Sequence, residues 1–416
     1  MTTLSGIITP TNIVTATGTT TLTNKTLTAP VLTSPNITTA LTLAGAAGTN
    51  GQVLTSAGSG LPSWTTISSS PTIVRSARTA NTILGTADAS TLINITSGTF
   101  SQTFTAAATL GSGWFCYIQN TGTGDITLDP NGSETIDGLT SYIMYPQECR
   151  LVQCTGTAFT SVVLSPFLRT VLTTLSSFVT PPGYSYFCGY LWGAGGGGSR
   201  GAGHMPGAGG GACVPFSLTS TQMGASQVIT IAAGGAGRGT DGAGSVGGNS
   251  TIGALLTSYG GGGGSATDQG TAGTGGGALS AGVNGGADLT WRQGGGPAIT
   301  SGAYNSNSFV DNPGFGGGST YSVDKSGSSF FGGGAGRTNY NGGGHSIYGG
   351  GGGGPGGTQA SPSNIGTSIF GGSGGAGGNA VSGTVGTQPG GGGGSTATGT
   401  TSGAGGNGQC TIWGVA

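Results

Sequence analysis

Charge is what this 416-residue chain has least of. Its ten Lys and Arg and eleven Asp and Glu leave a formal net charge of −1, and only 5% of residues are charged. The cations are scattered, so no basic stripe exists to neutralise phosphates; this excludes nucleic acid and argues against an anionic membrane surface. No run of roughly 18 apolar residues is present to span a bilayer. Met1-Thr2-Thr3-Leu4 opens no basic and then apolar stretch, so no export signal is expected.

Catalytic furniture is equally scarce. There are two histidines, His204 and His345, both inside glycine stretches without a nucleophile motif nearby. No Glu occurs after residue 192, and a glycan depolymerase needs a carboxylate pair. GxGxxG patterns are inevitable at this glycine content, and no strand–loop–helix unit or GxxxxGK[ST] accompanies them. Asp241, Asp268, Asp288, Asp311 and Asp324 lack the regular period of calcium β-rolls. Asp125, Asp129, Asn131 and Glu134 do not have EF-hand spacing. The expectation is a non-enzyme with no cofactor and no metal. Cys116, Cys149, Cys154, Cys188, Cys213 and Cys410 form no CxxC. Buried free thiols are the favoured reading, with a Cys149–Cys154 disulfide as the alternative.

What is abundant is glycine, 96 residues against 17 Pro. Such a composition usually signals disorder. Charge-driven disorder, however, needs high net charge, so a hydrogen-bonded backbone is the better expectation. Only 18 glycines precede residue 193, leaving 78 behind it.

Four zones follow from composition: 1–67, 68–165, 166–192 and 193–416. The first is Thr-rich, with Leu22, Leu27, Leu32, Ile37 and Leu41 at irregular intervals and Pro30 and Pro35 against a helix. One such thread cannot bury its apolar residues alone, which predicts a slender trimeric shaft. The second reads as an antiparallel β-sandwich, with strands at Leu92–Ile95, 114–119, 125–128, 141–145, Cys149–Cys154 and 158–164. Asn131-Gly132 and Asp137-Gly138 supply turn signals. The third is a bridge ending in an expected strand at Tyr186–Trp192.

The fourth zone holds ten runs of three or more glycines, with Trp291, Phe309, Phe315, Phe330, Phe331, Tyr340, Tyr348 and Phe370 between them. Flexible linkers lack such aromatics. Ordering glycine costs roughly 1–2 kcal/mol of backbone entropy per residue. Packed polyglycine II helices, three residues per turn, offset this when no side chain separates them. They would be framed by strands at 186–192 and 409–415.

Several segments carry a family resemblance. Leu22-Thr23-Asn24-Lys25-Thr26-Leu27-Thr28-Ala29-Pro30 and Gly51-Gln52-Val53-Leu54-Thr55-Ser56, running to Pro62-Ser63-Trp64, resemble shaft segments of bacteriophage tail fibres. Leu191-Trp192-Gly193 onward, Ile229–Gly235, Gly247–Thr251, Ser258–Gly262 and the closing Gly405 through Gly414 resemble the glycine-rich domain of phage tail proteins. The glycine array is similar to the tip adhesins of T-even-like phages. The resemblance implies a virion protein, assembled in the host cytoplasm and released by lysis. It implies a homotrimer whose N-terminus docks on tail, baseplate or adaptor proteins. Its C-terminal tip would bind a surface glycan or outer-membrane protein of the host. Trp291, Arg292, Tyr304, Phe309 and Tyr321, in segments poor in glycine, are the expected receptor-binding residues. The alternatives are a purely structural decoration, collar or connector fibre, and a cellular glycine-helix ice-binding or wall protein.

Overall fold

A computed structural model describes residues 42–43, 46–56, 62–66, 73–268, 270–286, 316–317, 326–337, 342–357, 365–398 and 401–416. The chain divides into two compact units, Met1–Thr72 and Ile73–Ala416, and the described residues are nearly all β.

In the first unit, β1 (Thr42–Leu43) pairs with β2 (Ala46–Ala47), and β3 (Gln52–Thr55) with β4 (Ser63–Thr66), both antiparallel. The second pair joins the two halves of the GQVLTS…PSW motif, Leu54 opposite Trp64. The Trp64 ring lies so close over Gly48 that a Cβ there would collide with it. The five apolar positions of the expected shaft lie outside the described residues, and so do residues 1–40, the part of the N-terminus expected to dock.

The second unit begins with a sandwich. One sheet orders its strands β12 (Phe159–Ser165), β11 (Cys149–Cys154), β8 (Phe115–Asn120), β6 (Leu92–Ile95) and β5 (Arg75–Arg78). The other orders β10 (Tyr142–Met144), β9 (Ile126–Asp129) and β7 (Phe100–Thr103). Alternation fills the space between them: Cys116, Ile118, Ile126, Leu128, Tyr142, Met144, Val152 and Phe159 point inward and are buried. The six expected strands lie within a residue of observed ones, but β5 and β7 were not expected and the sandwich is mixed rather than antiparallel. Strands β5 and β6, β6 and β8, and β7 and β9 pair in parallel. For the last two pairs the reason is that the chain alternates between the sheets, β6 to β7, through the short helix α1 (Ala107–Leu110), to β8 and then β9. Each excursion through the opposite sheet returns the chain in its original direction. The Asp137-Gly138 turn exists, both residues at positive φ, but closes only the Ile136–Leu139 bridge.

Next comes a base of two sheets. The first orders β13 (Leu168–Val171), β23 (Gln409–Val415), β15 (Tyr186–Trp192) and β17 (Cys213–Thr219). The second orders β14 (Leu175–Val179), β18 (Ser226–Thr230), β19 (Ser250–Ile252) and β20 (Leu256–Ser258). Phe167, Phe178, Phe187, Leu191, Met223 of the short helix α2 (Ser220–Met223), Ile229, Ile252 and Ile412 form the core between them. A buried ion pair links this base to the sandwich. Arg150 Nε donates to Glu148 Oε1 (2.6 Å), Nη1 to Ser161 Oγ (2.9 Å) and Nη2 to the Pro182 carbonyl (2.6 Å). Glu148 also accepts from the Tyr145 N–H and the Tyr184 hydroxyl. Every polar atom of the pair is thereby occupied, which is what tolerating charge in a core requires.

Strand β15 shows how the sheet gives way to something else. Over Tyr186–Trp192 it has two antiparallel neighbours, β17 and β23, because side chains above and below keep other strands away. From Gly193 side chains all but vanish. The same two neighbours continue: Gly193 and Gly196 donate to Ala212 and Gly209, and Gly195 and Gly198 to Gly406 and Gly403. A third now joins them, as Ala194 and Gly197 donate to Gly248 and Ser245. Donors therefore return to one neighbour every third residue. The carbonyls of Ala194, Gly195, Gly196 and Gly197 accept from Gly261, Gly235, Gly393 and Gly264, which brings three further segments. Six segments surround 193–198. Segment 207–212 repeats the arrangement, donating to 334–337, 390–393 and 259–262 and accepting from 193–196, 273–276 and 350–353. A Cβ at Gly196, Gly210, Gly262 or Gly352 would approach a neighbouring carbonyl closer than 3.0 Å, so no larger residue fits.

These segments run between the base and a far end. The far end holds a small parallel sheet of β16 (Arg200–Gly201), β22 (Thr396–Ala397) and β21 (Gly378–Asn379), with turns at 199–206, 238–243 and 265–268.

Candidate recognition surface

Three glycine segments reverse beside the base through one kind of turn: Ser329-Phe330-Phe331-Gly332, Ser346-Ile347-Tyr348-Gly349 and Ser368-Ile369-Phe370-Gly371. The serines pair as successive parallel bridges, 329 with 346 and 346 with 368. Their hydroxyls hold the turns. Ser329 Oγ accepts the Gly332 N–H (2.9 Å) and Ser368 Oγ the Gly371 N–H (2.8 Å), while Ser346 Oγ donates to the Gly332 carbonyl (2.7 Å). Stacking the turns stacks their aromatics, Phe331 on Tyr348 at 5.0 Å and Tyr348 on Phe370 at 4.7 Å between centroids. The stack is anchored on the base: Tyr190 lies parallel to Tyr348, and Trp192 Nε1 donates to the Tyr348 carbonyl (2.6 Å).

The second position of each turn faces outward. Phe330, Ile347 and Ile369, with Ser328, His345 and Thr367, line a groove of about 520 Å³. Ile369 is 72% exposed and Phe370 56%. His345 Nδ1 accepts the Thr367 N–H (3.0 Å), which places the ring proton on Nε2, and the His345 N–H donates to Ser328 Oγ (3.1 Å). An apolar wall beside hydroxyls and an imidazole suits contact with a sugar face or an apolar side chain. His345 Nδ1 also lies 2.9 Å from the Thr367 hydroxyl, and the Ser329 and Ser346 hydroxyls are engaged in holding the turns.

Polar chemistry collects at the far end. Arg200, Arg238, Asp241, Asp268 and Arg337 are the described Arg and Asp residues of the glycine half, and all lie on far-end turns or segment ends, with His204 among them. Arg200 Nη1 pairs with Asp241 Oδ1 (2.9 Å), Asp268 Oδ1 accepts the His204 N–H (2.6 Å), and Arg238 Nε donates to the Ala243 carbonyl (2.5 Å).

The expected receptor-binding residues Trp291, Arg292, Tyr304, Phe309 and Tyr321 all lie outside the described residues. Among the other aromatics between glycine runs, Phe330, Phe331, Tyr348 and Phe370 come together in the ladder, while Phe315 and Tyr340 lie outside the description. Of the residues weighed as metal ligands, Asp125 pairs with Arg169, and Glu134 accepts the Ala107 N–H. Among the described residues no three His, Cys, Asp or Glu converge. All six thiols are free, and Cys149 and Cys154 sit at opposite ends of one strand, too far apart to bridge. The ladder was missed from sequence although its signal is there, a thrice-repeated Ser-x-aromatic-Gly. No family model matches this chain, and no curated protein matches its sequence.

Proposed function

We propose that this chain is a tail fibre of a bacteriophage whose glycine-rich end binds a receptor on the host surface. The observation that carries the reading is the three-residue hydrogen-bond period, with six neighbours around a segment. Polyglycine II packing is the conformation that meets it, since three residues per turn aims successive N–H groups at three neighbours. Such an array is stiff and has almost no side chains of its own. Recognition then belongs to its turns, and the far end is where the described arginines and aspartates of the glycine half collect.

The N-terminus would dock on tail, baseplate or adaptor proteins, and the assembly would be a homotrimer. Exposed Val162 and Leu164 on β12, followed by exposed Leu168 at the start of β13 and Leu172 just past its end, supply an apolar edge for association between copies. No catalysis is part of this reading. Adsorption of the purified chain to host cells tests it. Wild type is expected to bind saturably and compete with phage. Alanine at Tyr304, Phe309 or Tyr321 is expected to weaken binding at least tenfold with an unchanged circular-dichroism spectrum. Wild-type protein that neither adsorbs nor competes would contradict receptor binding and favour a decoration or connector role.

A further inference from the structure

Seven arginines are described, and six have partners. Arg78, Arg150, Arg169 and Arg200 face the carboxylates of Asp88, Glu148, Asp125 and Asp241. Arg238 donates to the Ala243 carbonyl, and Arg75 to the Asn94 amide in the orientation that satisfies both. Arg337 differs. Only 3% of it is exposed, yet neither Nη1 nor Nη2 has a hydrogen-bond partner. A guanidinium presents its donors in a rigid planar fork, and leaving that fork desolvated and unmatched is unfavourable. Burial lowers its pKa only to about 10, so it stays cationic at neutral pH.

Its position is as telling as its isolation. Arg337 closes a glycine segment at the far end, its carbonyl accepting the Gly207 N–H (2.7 Å) beside the turn that carries His204 and Met205. The preceding Gly336 is fixed on both sides, its N–H donating to Gly273 and its carbonyl accepting from Ser326 Oγ (3.0 Å). The backbone is thus held while the cationic fork has nothing to hold.

We propose that Arg337 is an anion-binding residue of the far end, and that its ligand is the acidic group of a surface glycan, a carboxylate or phosphate ester bound by both terminal nitrogens. A planar fork facing two acidic oxygens is the pairing that best repays a buried guanidinium. The glycan as source rests on the receptor-binding reading; the anion site does not.

The full-length chain is titrated with glucuronic acid, glucose 6-phosphate and neutral glucose, following heat and melting temperature. Wild type is expected to bind at least one of the two acids saturably and to ignore glucose; which acid binds tells carboxylate from phosphate. Arg337→Met keeps the stem and removes the charge. It is expected to melt higher than wild type without ligand, because an unmatched charge is gone, and to lose acid binding at least tenfold. Arg337→Lys keeps the charge without the fork and should also bind at least tenfold more weakly. A merely structural arginine would give the reverse for Arg337→Met, a lower melting temperature. That result, or no acid binding by wild type, or equal binding by both variants, overturns the proposal. Acid binding without cell adsorption would sustain the site and contradict the receptor reading alone.

Discussion

The sandwich and the glycine half meet the same demand, pairing every buried backbone group, by opposite means. In the sandwich, side chains from two sheets fill the space between, and Ile118, Leu128 and Phe159 are wholly or almost wholly buried. Burying one such side chain contributes roughly 1.5–3 kcal/mol. In the glycine half the space between segments is gone. Each added hydrogen bond nets about 1 kcal/mol, against roughly 1–2 kcal/mol of backbone entropy per residue. A methyl group therefore stabilises one half and breaks the other. Strand β15 and its continuation 193–198 place both regimes on one stretch of chain.

The most forceful way to break this comparison is to add side chains where there are none. Gly262→Val and Gly352→Val are expected to abolish folding of the glycine half, because the Cβ would meet the Val283 or Ala335 carbonyl oxygen. Gly239→Ala is the control, since nothing lies within 4 Å of its Cβ. Limited proteolysis separates the outcomes: rapid loss of the region after residue 193 for the valines, wild-type resistance for the alanine. Removing a side chain in the sandwich should cost less. Phe159→Ala is expected to destabilise by about 3–5 kcal/mol, seen as a lower denaturant midpoint. A neutral result would show that the sandwich core is not held by its side chains.

The smallest effect concerns thiols. Burial pushes Cys410 up to about 12 and raises Cys116 and Cys213 as well. Their folded pKa exceeds the ordinary 9.0, so this contribution is complete below pH 9.0 and fades as unfolded thiols ionise above it. At pH 8 a thiol-specific reagent should leave these three untouched and react first at the half-exposed Cys188. Melting temperature should decline above pH 9.

Much of this was legible in the sequence, and the limits have physical causes. Strands Leu92–Ile95, Cys149–Cys154, Tyr186–Trp192 and Gln409–Val415 stand where alternation and glycine boundaries put them. Parallel pairing of β6 with β8 was not legible, because turn signals report only local reversal and this partnership is made through the opposite sheet. The serine ladder was hidden by unequal spacing, Ser329, Ser346 and Ser368 being separated by connections of different length. Arg337 offered no signal at all. Its isolation depends on which segments surround it, and nothing adjacent in sequence encodes that.

The central claim is the three-residue period, and residue-resolved amide hydrogen exchange on the native chain tests it most directly. In a sheet edge, protection alternates along the strand; in a linker, it is absent. Here each N–H from Gly193 to Gly198 is donated to a neighbouring segment. The expected result is slow exchange at all six consecutive amides and again from Gly207 to Cys213. Alternating protection, or exchange at unstructured rates through either run, would contradict the account.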